Sequence, residues 1–292
     1  MTLSIDALKA EIQGHGLISL ARDKFIPSGE RLAKLAWKEV SFSSKKLKAE
    51  DAVAHFNDYL CELVDKEYEI YLERETRCIN EGVWEIVLDP NSVAAFPTVL
   101  QLVKSVKRIL EDQSIESAKK LAKLATHLRP FYKLLEQSFA QGRMSRAGGS
   151  SQYHLQKLFE IAGYANEFET QCVLNGTIDF VFPSLKAWKS DRRKCLLVSV
   201  KRSLRERYKQ VFEELGIAKG LTVFLLVTET YKEAEKDVTE SKVKKLDEQN
   251  IYLVLRDEIK NQRFGKAKNV IGFSEFIQQE LPSRRSQWRS LI

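Results

Sequence analysis

A carboxylate, a lysine and a second carboxylate brought together around a hard cation can hydrolyse a phosphodiester, and residues 178–214 hold such a set. Asp179 stands in Thr-Ile-Asp-Phe-Val-Phe-Pro, Ser199 and Lys201 stand in Cys-Leu-Leu-Val-Ser-Val-Lys, and Glu214 follows further on. Mg²⁺ takes oxygen ligands and keeps several waters, and the bound metal lowers the pKa of such a water. An ammonium nearby can orient that water or stabilise the developing phosphorane charge. Asp179 and Glu214 are therefore the candidate metal ligands and Lys201 the candidate catalytic cation. Ser199 is a supporting contact rather than a nucleophile, because no histidine base accompanies it. An arbitrary aspartate and lysine at strand ends more simply make an ion pair, and the residues alone leave that reading open.

These groups can meet only if the segments that carry them pair. Residues 167–174 and 177–182 read as two strands joined by the hairpin signal Asn175-Gly176, and 195–201 reads as a strand buried on both faces. On a strand, residues two apart point the same way, so Ser199 and Lys201 share a face and Asp179 joins them if the strands are neighbours. Residues 203–219 form a helix in which Leu204, Tyr208, Val211, Phe212, Leu215 and Ala218 make one apolar stripe. Glu214 falls roughly 90° from the centre of that stripe, at the border of core and cleft, whereas Glu213 points to solvent. Residues 186–194 read as a charged loop. A strand at 221–228, a helix at 233–248 and a strand at 251–255 complete a mixed α/β sheet flanked by helices.

The chain before this core is mostly helical, with apolar faces over 31–40, 50–79, 97–111 and 115–139 and a short strand or buried turn at 83–88. This divides it into a helical N-terminal region, 1–140, and a catalytic core, 141–292. Trp37 lies just off an apolar face and either packs on a neighbouring segment or stacks on a base. Lys45, Lys46 and Lys48 lie in a polar loop that is solvated surface or reaches a phosphate backbone. In residues 141–150, Arg143, Arg146 and two adjacent glycines, Gly148 and Gly149, are expected at the start of a helix, where unpaired N–H groups attract anions. The Gly-Lys-Ser/Thr ending of a nucleotide P-loop is missing there, so no nucleotide cofactor is expected. His154 is expected to be structural or surface.

Composition sets outer bounds. With 292 residues, 43% hydrophobic and 30% charged, the chain reads as a soluble globular protein with a sizeable core. Its net charge of +7 permits a polyanionic partner. The four cysteines lie far apart with no Cys-x-x-Cys, which suggests reduced core thiols. The first sixteen residues lack a signal-peptide apolar core, and no run reaches the roughly 18 residues of a membrane span, so a cytoplasmic location is expected.

The segments Ser145-Arg146-Ala147-Gly148, Ile178-Asp179-Phe180-x-x-Pro183 and Val198 through Tyr208 resemble the EcoRII, SsoII and PspGI group of type II restriction endonucleases, in the PD-(D/E)xK nuclease superfamily. That group places a serine where the usual motif has its acid before x-Lys, and moves the acid to the next helix. Ser199, Lys201 and Glu214 occupy those positions. The resemblance implies a Mg²⁺-dependent homodimer that cuts double-stranded DNA at a palindrome with a CC/GG core and leaves 5′-phosphate ends. It also implies major-groove reading by Arg205, Glu206 and Arg207, which by chemistry alone are a solvated helix face. An arginine is bidentate to guanine O6 and N7, and a glutamate accepts from cytosine N4. Arg146, Lys45, Lys46 and Trp37 are further candidates for DNA contact. Relatives carry a glutamate on the helix after Ser-Arg-Ala-Gly, where this chain has Gln152 and Gln156, with Glu160 later. Gln152 remains a candidate to bind a metal water through its carbonyl. The alternatives are a repair or structure-selective nuclease of the same fold, and a catalytically inactive DNA-binding protein.

Overall fold

Strand propensity and turn chemistry place Asp179 and Ser199 on adjacent strands. The structure, a computed structural model, describes residues 4–14, 16–174, 177–204 and 221–291, with only the backbone of 144–148. One six-stranded sheet runs in chain order as β1 (Glu169–Val173), β2 (Thr177–Phe182), β3 (Leu196–Lys201), β4 (Val223–Val227), β5 (Ile251–Leu255) and β6 (Val270–Gly272). The pairs β1–β2 and β2–β3 are antiparallel, and β3 through β6 are parallel. The near-continuous apolar character of β4 and β5 goes with burial on both faces. One face packs Phe180, Phe182, Val198 and Phe224 with Phe56, Leu60, Leu155 and Phe159. The other packs Val181, Leu197, Leu225 and Val227 with Ala234, Val243 and Leu246.

The chain divides into two compact units, one of residues 1–28 and 69–146 and one of residues 29–68 and 147–292. The helical unit includes Ile5–Ile12, Leu17–Phe25, Val83–Leu88 and Pro97–Glu111, the last opened by a proline at its first turn. Residues 83–88, read as a strand or buried turn, are thus a helix; they continue the π-helical turn Cys78–Gly82 directly. The boundary expected at residue 140 holds only in part. Residues 29–68 belong with the sheet because Val40, Phe42, Phe56, Leu60, Leu63 and Val64 complete its first core cluster.

Three further expectations change. Residues 141–150 do not begin a helix, because they lie inside the continuous helix Ser117–Phe159. Amides there bond to carbonyls one turn back, so the anion-attracting helix start is withdrawn. The charged segment after β2 is a helix, Leu185–Asp191, nucleated by Ser184, whose hydroxyl accepts the Ala187 N–H at 3.2 Å. The helix expected over 233–248 is two, Tyr231–Asp237 and Glu240–Asp247. Thr230 and Glu233 form a capping box on the first, and the Thr239 side chain caps the second. All four cysteines are free thiols. Among the described residues no helix is long and apolar enough to cross a membrane.

Candidate active site

The register Phe180↔Val198 sets Asp179 directly across from Ser199 on the neighbouring antiparallel strand. The Asp179 carboxylate is half-buried, and its Oδ2 accepts the Val200 N–H at 2.7 Å and the Ser199 hydroxyl at 3.4 Å. Ser199 is 1% exposed, which fits a hydroxyl that supports a carboxylate better than one that attacks a substrate. Lys201, two residues further along β3, shares the Ser199 face and is half-buried. Its backbone carbonyl accepts the Thr228 N–H at 3.0 Å, which continues the β3–β4 pairing past the end of β4.

The helix Ser117–Phe159 brings in Gln152, whose Nε2 donates to the Asp179 backbone carbonyl at 3.4 Å. Gln156 is directed elsewhere, donating to Glu160 Oε1 at 3.0 Å. One residue of this group was not anticipated. Gln171 of β1 donates from Nε2 to Gln152 Oε1 and, at 3.4 Å, to Asp179 Oδ1. A two-residue Asn175-Gly176 turn would pair 174 with 177 and put 172 opposite 179, whereas the observed register, 170↔180 and 172↔178, leaves 171 opposite 179.

The turn after β3 rests on a buried polar network that the sequence reading also missed. Glu229, fully buried just past β4, accepts the Leu204 N–H at 2.9 Å. Its backbone carbonyl accepts from Arg256 Nε at 2.6 Å, and Arg256 holds Asp65 through both terminal nitrogens at 2.9 and 2.5 Å. Arg202 Nη1 donates to the Thr228 carbonyl at 2.7 Å, and its guanidinium lies 5.4 Å over the Tyr68 ring. Burial, reinforced by the neighbouring Asp237 carboxyl, pushes the Glu229 carboxyl up to about 7 against the pull of Ser203 and the Leu204 N–H.

Arg205, Glu206, Arg207 and Glu214 lie outside the described residues, as does the side chain of Arg146. Lys45 and Lys46 are exposed. Trp37 packs against the core: the edge contact with Phe42 is 5.7 Å between centroids, and Lys157 Nζ stands 4.0 Å over the ring. This is the packing reading of Trp37. His154 is buried with Nε2 3.2 Å from Glu67 Oε2, a structural pair. The Asp179 carboxylate, braced by an amide and a hydroxyl, offers oxygen donors of the kind a hard cation takes.

The EcoRII C-terminal family profile matches residues 107–277, more than half of the chain. The type II restriction enzyme SsoII of Shigella sonnei is 27% identical over 162 residues, 53% of this chain and 51% of that protein. The chain therefore spans about half the length of this curated relative. Among solved structures, metal-depleted Ecl18kI in complex with uncleaved, modified DNA gives a TM-score of 0.73 at 19% identity, covering 99% of this chain and 87% of that one. A PspGI–substrate DNA complex gives 0.55 at 16% identity, with 91% and 96% coverage. Both share the fold of this chain.

Proposed function

The chain belongs to the EcoRII C-terminal family, and from that premise we propose that it is a site-specific endonuclease that hydrolyses phosphodiester bonds of double-stranded DNA. The observation that carries the reading is the pairing of Asp179 with Ser199 across β2 and β3, with Lys201 on the same face. This arrangement falls inside the family-matched residues. Asp179 and Glu214 would hold Mg²⁺, which supplies Lewis acidity and a water of lowered pKa. The Val200 amide and Ser199 hydroxyl keep the Asp179 carboxylate aimed. Lys201 places its ammonium where negative charge develops on the phosphorane, and the product keeps its phosphate on the 5′ side.

Recognition in this reading falls to Arg205, Glu206 and Arg207 at the major-groove edges of a CC/GG core. Lys45, Lys46 and Arg146 would contact phosphates, which gives affinity without sequence information. The helical unit supplies contacts for a homodimer, since a two-fold assembly matches a palindrome and brings one site to each strand. Structural neighbours captured with DNA support a duplex as the partner.

The test is incubation with long mixed-sequence duplex DNA and Mg²⁺, with and without chelator, followed by mapping of the ends. Discrete, metal-dependent fragments are expected. A smear or a preference for branched substrates would favour a repair or structure-selective nuclease, and binding without cutting an inactive DNA-binding protein.

A further inference from the structure

Gln171 has φ +52°, in the left-handed region that non-glycine residues rarely occupy. It is exposed and lies within β1 between the paired positions 170 and 172. Strained backbone at one position of a strand asks what its side chain delivers. Here the side chain delivers one amide to two acceptors: Nε2 donates to Gln152 Oε1 and to Asp179 Oδ1. Gln152 in turn donates to the Asp179 carbonyl at 3.4 Å. The acceptors dictate both amide orientations, because a carboxylate and a backbone carbonyl offer no proton. Neither glutamine can turn its oxygen toward Asp179 without facing lone pair to lone pair.

We propose that Gln171 is a positioning residue of the cleavage site, its amide bridging Gln152 and Asp179 so that the Asp179 carboxylate is held from both edges. Val200 N–H fixes Oδ2 at 2.7 Å from the β3 side, and Gln171 fixes Oδ1 from the β1 side. A carboxylate oxygen has more than one lone pair, so bracing by a donor and ligation of a cation are compatible. The bridge is neutral, so it orients the ligand without adding charge to the site. It also occupies one lone pair of the Gln152 oxygen, which makes Gln152 part of the brace. The proposal rests on the reading of Asp179 as a metal ligand.

The test is Mn²⁺ titration followed by electron paramagnetic resonance on the wild-type protein and on Gln171→Leu, Gln171→Gly and Asp179→Ala, with melting curves and DNA-cleavage kinetics for each. Outer partners of a metal ligand are worth about 10–100-fold in metal affinity or activity. Both Gln171 variants should bind Mn²⁺ that much more weakly and lose kcat, with KM for DNA unchanged. Gln171→Gly accepts a positive φ without strain, so its Tm should equal or exceed that of Gln171→Leu while its Mn²⁺ affinity stays low. Unchanged Mn²⁺ affinity and kcat in both variants, with affinity lost in Asp179→Ala, would overturn this proposal alone. Wild-type Mn²⁺ affinity in Asp179→Ala would overturn the ligand reading and the proposal with it. Failure of both Gln171 variants to fold would assign the residue a purely structural part and overturn the proposal as well.

Discussion

Replacing Glu229 with glutamine should stabilise the protein at pH 8 and leave it almost unchanged at pH 4.5. Glu229 is fully buried beside Asp237, and its carboxyl is pushed from an ordinary 4.5 up to about 7, chiefly by burial. A carboxyl raised in the folded state binds more protons there than in the unfolded chain over that interval. Stability therefore falls as pH rises from about 4.5 to about 7, and the loss is complete above the folded pKa. An interval of about 2.5 units at 1.36 kcal/mol each gives ~3 kcal/mol. The substituted amide would keep an acceptor oxygen for the Leu204 N–H and carry no charge to bury. The assay is urea unfolding of wild type and Glu229→Gln at half-unit steps from pH 4.5 to 8.5. The difference between the two curves isolates this group from the other titrating residues. It should grow by about 3 kcal/mol toward alkaline pH. Parallel curves, or a difference that shrinks as pH rises, would refute a buried Glu229 whose carboxyl is raised by burial.

Lys201→Ala and Asp179→Ala should each lower cleavage at least ~10²-fold while circular dichroism melts remain cooperative; near-normal cutting by either would dismiss the catalytic assignment. Arg205→Ala should cost ~1–3 kcal/mol of specific binding and leave a residual affinity that falls with salt, read by fluorescence anisotropy at two ionic strengths. Glu67→Ala should destabilise by about 1–3 kcal/mol, because buried His154 then loses its 3.2 Å partner; an unfolding midpoint equal to wild type would contradict that account.

How much could be read from the chain differs from element to element. Strands β2 and β5 fall on the expected residues because apolar runs bounded by turn residues are local signals. The helix Pro97–Glu111 matches residue for residue, its start marked by a proline and its face by apolar spacing. Strand β6, only three residues long, carries too short a pattern to stand out from a loop. The 141–150 segment misled because two glycines resemble punctuation, whereas here the helix runs through them.

The sequence alone determined which chemistry the molecule has to offer: the Asp179, Ser199 and Lys201 types, their strands, and the face that Ser199 and Lys201 share by the two-residue repeat, which Asp179 joins only through the β2–β3 register. Only the tertiary structure decided what surrounds them. That Gln171 braces Asp179, that Glu229 holds Leu204 from 25 positions away, and that residues 29–68 belong with the sheet depend on contacts between distant parts of the chain. Such contacts are set by strand register and by which apolar surfaces close on each other, and no local periodicity encodes them.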